Sequence, residues 1–360
     1  MSKINFGVCI GAVDVPGTSD EALYRLMMED VDAVARLGYA GIWALEHHFS
    51  SYYPTPSPLM ILAHAAGRYP HLELGSMVLV APWYQPLRLA EEIAMLSLMT
   101  RSGVHLGLGR GSAAMEYEAF GMDLDESRTR FHEAIEIVQR ALAGKPFTYK
   151  GKYNQVNEPV QLRPQPRLDR ITLYGAISSQ PSARIMADLD LPLFCNAVRP
   201  LDMHRAVLDE WQSVVSAAGR DSTRPRLLQS HLIVADTDAE AAALARQYLP
   251  HFFQAQVEHY ATDLDRYDRL KTFDMRRMQA MRERYSNPAN LDDFIDLQLM
   301  GSPETVRRKL QSYVDLGFDK FVVTTNTPGI PQALRHQWLR RFANEVAPDF
   351  SSAFGKRQAA

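Results

Sequence analysis

Three titratable residues in a row, Glu46-His47-His48, follow directly on the apolar run GIWAL at 41–45. Histidine titrates near neutrality and can act as an acid, a base or a hydrogen-bond donor to a reacting group. His47 is therefore the candidate catalytic residue, with a structural histidine pair as the bland alternative. Metal binding is a third reading, and the sequence argues against it. Adjacent side chains on an extended segment point to opposite sides, so His47 and His48 are poorly placed to share one ion. No HxH or HExxH spacing accompanies them, and no metal is expected.

Two other segments could hold an anion. Gly107-Leu108-Gly109-Arg110-Gly111 closes an apolar run. Its glycines let backbone amides come close to a ligand, and Arg110 can pair with a phosphate through two hydrogen bonds. Plain turn chemistry would produce the same glycines. No amphipathic helix starts at once, so this is not a dinucleotide fingerprint. In Gly175-Ala176-Ile177-Ser178-Ser179-Gln180-Pro181, Ser178 and Ser179 either cap the helix that follows or surround a phosphate at its positive end. Two such loops beside a histidine point to a phosphate-bearing cofactor. His231 could line the same site, but reads more simply as a satisfied core histidine.

The elements that must carry these residues alternate. Short apolar runs occupy 4–10, 41–45, 72–80, 104–109, 171–175, 191–195, 227–235 and 321–325. They are nearly continuous in Val, Ile and Leu, as in parallel strands covered on both faces. Amphipathic helices lie between them. Thr18 and Glu21 form a capping box for one that stops at Gly38, another ends at Gly144, and Ser302-Pro303-Glu304 opens a third that stops at Gly317. This pattern predicts an α/β protein, a single (β/α)8 TIM barrel over 1–350, with a doubly wound open sheet as second choice. The ionisable segments then sit at C-terminal strand ends, the active face of a barrel. Two stretches exceed one strand plus one helix: 144–170, and a polar, aromatic, helix-like insertion at 248–300 between strand 7 and the last βα unit. Each is either an active-site cover or a surface decoration, and 351–360 is expected to be a flexible tail.

Composition limits the function classes. The 360 residues are 46% hydrophobic and 22% charged, with a formal net charge of -3, which excludes intrinsic disorder and leaves no footprint for nucleic acid or an anionic membrane. Cys9 and Cys195 lie in separate apolar runs and form no disulfide framework. No apolar run reaches about 18 residues, and the first residues lack a basic region leading into an apolar core. A cytoplasmic enzyme is expected.

Taken as a set, GYAGIWALEHHF at 38–49, VLVAPWYQPLRLAEE at 78–92, LGLGRGSAAMEYEAFGMD at 106–123, GAISSQPSARIMADLDLPLF at 175–194 and GSPETVRRKLQSYVDLGFDKFVV at 301–323 resemble the bacterial luciferase-like flavin-dependent oxidoreductases. The resemblance runs in the family's order over almost the whole chain. It implies a (β/α)8 barrel and a monooxygenase that takes reduced FMN from a separate flavin reductase. With O2 the flavin would form a hydroperoxide that oxygenates a small organic substrate. It further implies that His47 is the catalytic histidine and that Arg110 contacts the flavin phosphate. Ser178 and Ser179 would lie in the phosphate-binding serine segment, with Ser182 as a neighbouring candidate. Met77-Val78 falls where the family often places a non-proline cis peptide against the flavin ring. Gly109 stands where luciferase itself can carry a cysteine, so chemistry depending on that thiol is absent.

The turn before the fourth strand departs from the family pattern, reading Leu96-Ser97 and Arg101-Ser102-Gly103. Substrate contacts vary across the family and do not transfer. A homodimer is implied by the resemblance only. The aromatic residues Tyr52, Tyr53, Trp83 and Tyr84 suit an apolar or aromatic pocket, or else a packed rim or interface. Rival functions are a deazaflavin-dependent hydride-transfer oxidoreductase of the same superfamily, a non-catalytic flavin-binding barrel and a metal-dependent hydrolase.

Overall fold

A computed structural model describes residues 4–13, 17–177, 179–260 and 275–355. Each expected apolar run forms a strand: β1 (Asn5–Ile10), β2 (Gly41–Ala44), β3 (Glu73–Val80), β4 (Val104–Gly109), β7 (Ile171–Ala176), β8 (Leu193–Asn196), β9 (Leu227–Val234) and β11 (Lys320–Thr324). All pair in parallel, in the order β9-β11-β1-β2-β3-β4-β7-β8, and β8 pairs with β9 to close the ring. Closure leaves no edge among these eight strands, and helices outside with packed side chains inside cover both faces, so their sequences need no polar face. β9, for example, is buried at every position.

Trp43 shows how the inside of the barrel is filled. It is fully buried on β2, opposite Cys9 of β1 and Gly75 of β3. A Cβ on Gly75 would lie 2.2 Å from the indole Nε1, and one on Gly7 would lie 1.8 Å from Cζ3. Two glycines on the flanking strands thus make room for one large ring.

The N-terminal end of the barrel holds an ion pair. Lys320 Nζ donates to Glu73 Oε2 at 2.6 Å, His105 Nε2 lies 3.7 Å from Oε1, and Asn5 Nδ2 donates to Oε1 at 3.3 Å. Burial pushes the Glu73 carboxyl up, but His105 and Lys320 outweigh it and hold it near about 2, below its ordinary 4.5. A carboxylate depressed on folding contributes stability that is present above its unfolded pKa and is lost as pH falls toward the folded value. Stability should therefore fall between about pH 4.3 and pH 2, by up to about 1.4 kcal/mol per pH unit for this one proton. Denaturant melts across that range test this, and Glu73→Gln should flatten the slope.

The helix ends are decided by local chemistry. The first helix is Asp20–Leu37, and its N-cap is Ser19, whose side chain accepts from the Ala22 amide, one residue beyond the expected Thr18. Gly38 ends it at φ 85°. Ser302 caps Pro303–Asp315 as expected. The 144–170 excursion contains an antiparallel hairpin, β5 (Phe147–Lys150) and β6 (Gln155–Val160). Its turn is pinned to the helix Ser127–Leu142 by Glu133, which accepts from the amides of Lys152, Tyr153 and Asn154 at 2.6, 3.0 and 2.9 Å. The hairpin therefore braces the outer helix layer.

Between β9 and β11 the chain runs through the helices Asp238–Tyr260, Met275–Tyr285 and Asp292–Leu297, then through β10 (Leu299–Gly301), which pairs with the end of β9. Residues 261–274 of the expected insertion lie outside the described residues. The expected tail is partly docked. Ser352–Gly355 forms a short helix, and Phe354 packs edge-on against Phe6 and Tyr39 at 6.0 and 5.4 Å. Its apolar ring finds a core position that the small and polar residues around it do not advertise. Residues 356–360 lie outside the described residues. Among the described residues, no helix is long and apolar enough to cross a membrane.

Candidate active site at the barrel mouth

The chain leaves β2 through Glu46, which ties neighbouring strand ends together. Its carboxylate, 4% exposed, accepts from the Val80 amide at 2.9 Å and the Tyr84 hydroxyl at 3.1 Å, with His48 Nε2 at 3.1 Å. Burial raises its pKa, and these contacts oppose the rise. The loop then turns back, so that the His47 amide donates to the Thr55 carbonyl at 3.3 Å. Phe49 and Tyr53 hold φ of 58° and 53°, a region that costs a non-glycine residue roughly 1 kcal/mol or more. Tyr53 is held there by its hydroxyl, which donates to the Asn326 carbonyl at 2.8 Å beyond β11.

His47 and His48 do diverge. His48 packs edge-on against Trp83 and Phe120 at 5.1 and 4.9 Å. His47 turns inward among the rings of Tyr52, Tyr53, His259 and Tyr260, at 4.7, 6.3, 4.9 and 6.4 Å. Burial lowers its pKa, and the facing Glu116 opposes the shift. Its Nδ1 lies 3.5 Å from Glu116 Oε1, and its side chain keeps 19% of its surface exposed.

Glu116 sits on the short helix Ala114–Ala119 beyond β4, and its Oε1 accepts from the His48 amide at 2.7 Å. His259, near the end of the helix Asp238–Tyr260, places Nε2 3.5 Å from that same oxygen. His47, Glu116 and His259 are of metal-ligating types, with ligand atoms within 4.8 Å of one another. An ion bound at about 2.1 Å holds its ligand atoms at most about 4.2 Å apart, so this spacing is loose for a metal.

The other half of the mouth is cationic. Arg110 follows β4, and its carbonyl accepts a hydrogen bond from the Tyr117 hydroxyl. Burial and the nearby Arg128 lower its pKa from 12.5 to about 10. Leu108 of β4 pairs with Gly175 of β7, so Arg110 and Ser179 leave the barrel from adjacent strand ends. Ser179 and Ser182 Oγ lie 2.9 Å apart at the start of the helix Gln180–Asp188, and among the described residues the Ser179 side chain makes no cap hydrogen bond. Ser178 lies outside the described residues.

Between the two halves lies β3. The Met77-Val78 peptide is cis, as expected for that position, and both side chains are partly exposed beside Ala176 on the mouth-side core. Gly109 is placed by packing: a Cβ there would lie 2.5 Å from Val78 Cγ2. Its part is thus to let the Val78 side chain seat against β4. His231 is buried in the core as expected, and among the described residues its Nδ1 has no hydrogen-bond partner. Burial lowers its pKa to about 4. Strand order therefore sets out, from β2 to β7, a histidine, an apolar partly exposed floor, a cationic arm and a serine-bearing helix start. This donor set fits a flat ring bearing a phosphate: positive charge and hydroxyls at one side, an apolar seat in the middle and a titratable group at the other.

Sequence reasoning missed Glu116, Arg128 and His259. Glu116 lies within the stretch 106–123, but its significance depends on contacts that no spacing rule displays.

The family model for luciferase-like monooxygenases matches residues 4–320 of this chain. The chain is 25% identical over 352 residues to the oxygenase component of the flavin-dependent trigonelline monooxygenase of Acinetobacter baylyi, covering 93% of this chain and 92% of that protein. Two uncharacterized proteins of Sinorhizobium fredii are 36% and 34% identical, but the chain spans only 39% and 61% of their lengths. Among solved structures, the oxygenating constituent of 3,6-diketocamphane monooxygenase from Pseudomonas putida, in complex with FMN, superposes with TM-score 0.72 at 21% identity, covering 97% of this chain and 99% of that one. An F420-dependent secondary alcohol dehydrogenase superposes with TM-score 0.73 at 14% identity, covering 98% and 99%. These two likenesses concern the fold.

Proposed function

Because the chain belongs to the luciferase-like monooxygenase family, we propose that it oxygenates a small organic substrate with O2, using reduced FMN delivered by a separate flavin reductase. The observation that carries this reading is the strand order at the mouth, which puts Met77-Val78 between His47 and the Arg110–Ser179 edge. Arg110, with Arg128 near it and Ser179 on the next strand end, would hold the phosphate, and Ser178, which precedes Ser179 in the sequence, is proposed to share in this. Met77 and Val78 would seat the ring, with Gly109 making room for Val78. Reduced flavin supplies the reaction with oxygen when bound. The protein's share is to orient it, to exclude water and to handle a proton at His47. The aromatic group Tyr52, Tyr53, Tyr260 and Phe252 suits an apolar or aromatic substrate, and the segment 248–300 would cover the site from above.

A reductase-coupled assay tests this directly. With NADH, a flavin reductase and FMN, the protein should convert a member of a substrate panel to a product heavier by one oxygen atom, consuming O2. Turnover of an alcohol with F420 and no oxygen uptake would instead establish hydride transfer. Bound flavin without either reaction would establish a non-catalytic barrel.

We propose a homodimer on the same footing. The helix Pro86–Met99 exposes Met95, Leu98 and Met99, which share one face at i, i+3 and i+4, at 50, 49 and 49%. Apolar side chains grouped in this way mark an association surface. Light scattering should give about twice 40.6 kDa, and Met95→Glu with Met99→Glu should shift the protein toward the monomer.

A further inference from the structure

We propose that Glu116 and His259 are positioning residues for His47: the carboxylate takes the Nδ1 side of the His47 ring, and the covering helix braces that carboxylate through His259. This rests on the reading of His47 as the catalytic histidine.

Three elements converge on a single oxygen atom. Glu116 Oε1 receives the His48 amide at 2.7 Å, His47 Nδ1 at 3.5 Å and His259 Nε2 at 3.5 Å. Glu116 is 2% exposed and His259 is 2% exposed, so water does not compete for these contacts. Among the described residues, neither His47 Nδ1 nor His259 Nε2 has another hydrogen-bond partner. At 3.5 Å both are electrostatic contacts, longer than a formed hydrogen bond. Such contacts are often long without ligands and tighten when the reacting groups are in place.

The orientation of each ring follows from its second nitrogen. His259 Nδ1 lies 2.7 Å from Ser50 Oγ. With the serine hydroxyl donating there, Nε2 carries the hydrogen and points it at Glu116. A carboxylate accepts only, so it selects the Nδ1–H tautomer of His47 as well and leaves Nε2 with the lone pair. Two imidazoles facing one carboxylate also hold that carboxylate ionised: burial raises its pKa, but His259 and His47 outweigh this and bring it to about 2. Ser50 belongs to the same loop as His47, so His259 fastens the covering helix to both sides of the histidine it braces. The other titratable groups around the pair, among the described residues, are His48, Tyr52, Tyr53 and Tyr260, with Arg282 stacked 4.0 Å from the Tyr260 ring centre.

The two partners act on His47 with opposite sign, which makes the arrangement testable without any substrate. The Glu116 charge favours imidazolium at His47, whereas His259, which directs its own hydrogen at the same oxygen, opposes it. The experiment is a pH titration of the full, flavin-free chain labelled with 15N-histidine, with the His47 signals assigned by their loss in His47→Asn. In the native protein His47 should appear as the Nδ1–H tautomer. Glu116→Gln should lower its midpoint by about one pH unit, tenfold in proton affinity, and abolish the tautomer preference. His259→Gln should raise the midpoint, and Glu116→Asp should restore the native tautomer. An Nε2–H tautomer in the native protein, or midpoints that move together in both variants, would overturn the proposal. So would stoichiometric zinc in the purified protein that disappears in His259→Gln. Because no flavin is present, this result is independent of product formation: a native-like yield from His47→Asn would refute the catalytic role of His47, and no oxygenated product from the native chain would refute the oxygenation reading, while the tautomer and midpoints stand apart from both.

Discussion

His47→Asn is expected to cut product formation by about 100-fold or more, the usual contribution of a positioned acid or base. Oxygen consumption should continue, and the reducing equivalents should leave as hydrogen peroxide. Asparagine keeps the approximate size and polarity of the imidazole but cannot titrate, so loss of yield with retained FMN binding isolates the proton role. The pH dependence gives a second readout. Burial lowers the His47 pKa below its ordinary 6.5. A histidine needed in its neutral form then stays competent through neutral pH, and the acid limb of the yield profile should lie below pH 6.5. A yield equal to that of the native chain would show that His47 does not act on the reaction.

Arg110→Ala is expected to weaken FMN binding by about 10- to 100-fold, from the loss of roughly 1.5–3 kcal/mol in a charge-assisted contact. The guanidinium is partly buried already, which together with Arg128 lowers its pKa, and so it loses less hydration when a phosphate arrives. Arg110→Lys should fall in between, since an ammonium keeps the charge but not the two-pronged geometry. Riboflavin, which has no phosphate, is the control. Its affinity should be the same for the native protein and Arg110→Ala, and an equal loss for both flavins would mean that Arg110 supports the fold of the loop and not the phosphate.

Much of this site is written locally in the chain. His47 follows an apolar strand, Arg110 follows a glycine-rich one, and Ser179 opens a helix, so each lies at a strand end that periodicity alone identifies. The barrel was legible for the same reason: a parallel strand covered on both faces is apolar at nearly every position. Shorter or half-exposed strands were not. β10 has only three residues, and β5 alternates between half-buried and exposed positions, so neither stands out from a loop. Phe354 was read as part of a tail because one aromatic among small and polar residues carries no period.

What the sequence by itself determined is the order of the strands' chemistry: which run ends in a histidine, which in an arginine, which in a serine. That information is local, and the ring closure rule for alternating β and α units does the rest. Only the tertiary structure decided what faces His47. Glu116 lies 68 residues from the His48 amide it accepts, and His259 lies 209 residues from Ser50. Contacts of that reach are set by where a short helix and a covering helix come to rest on the closed barrel. No spacing in the chain records them, because burial and not periodicity brings two imidazoles and a backbone amide to one carboxylate oxygen.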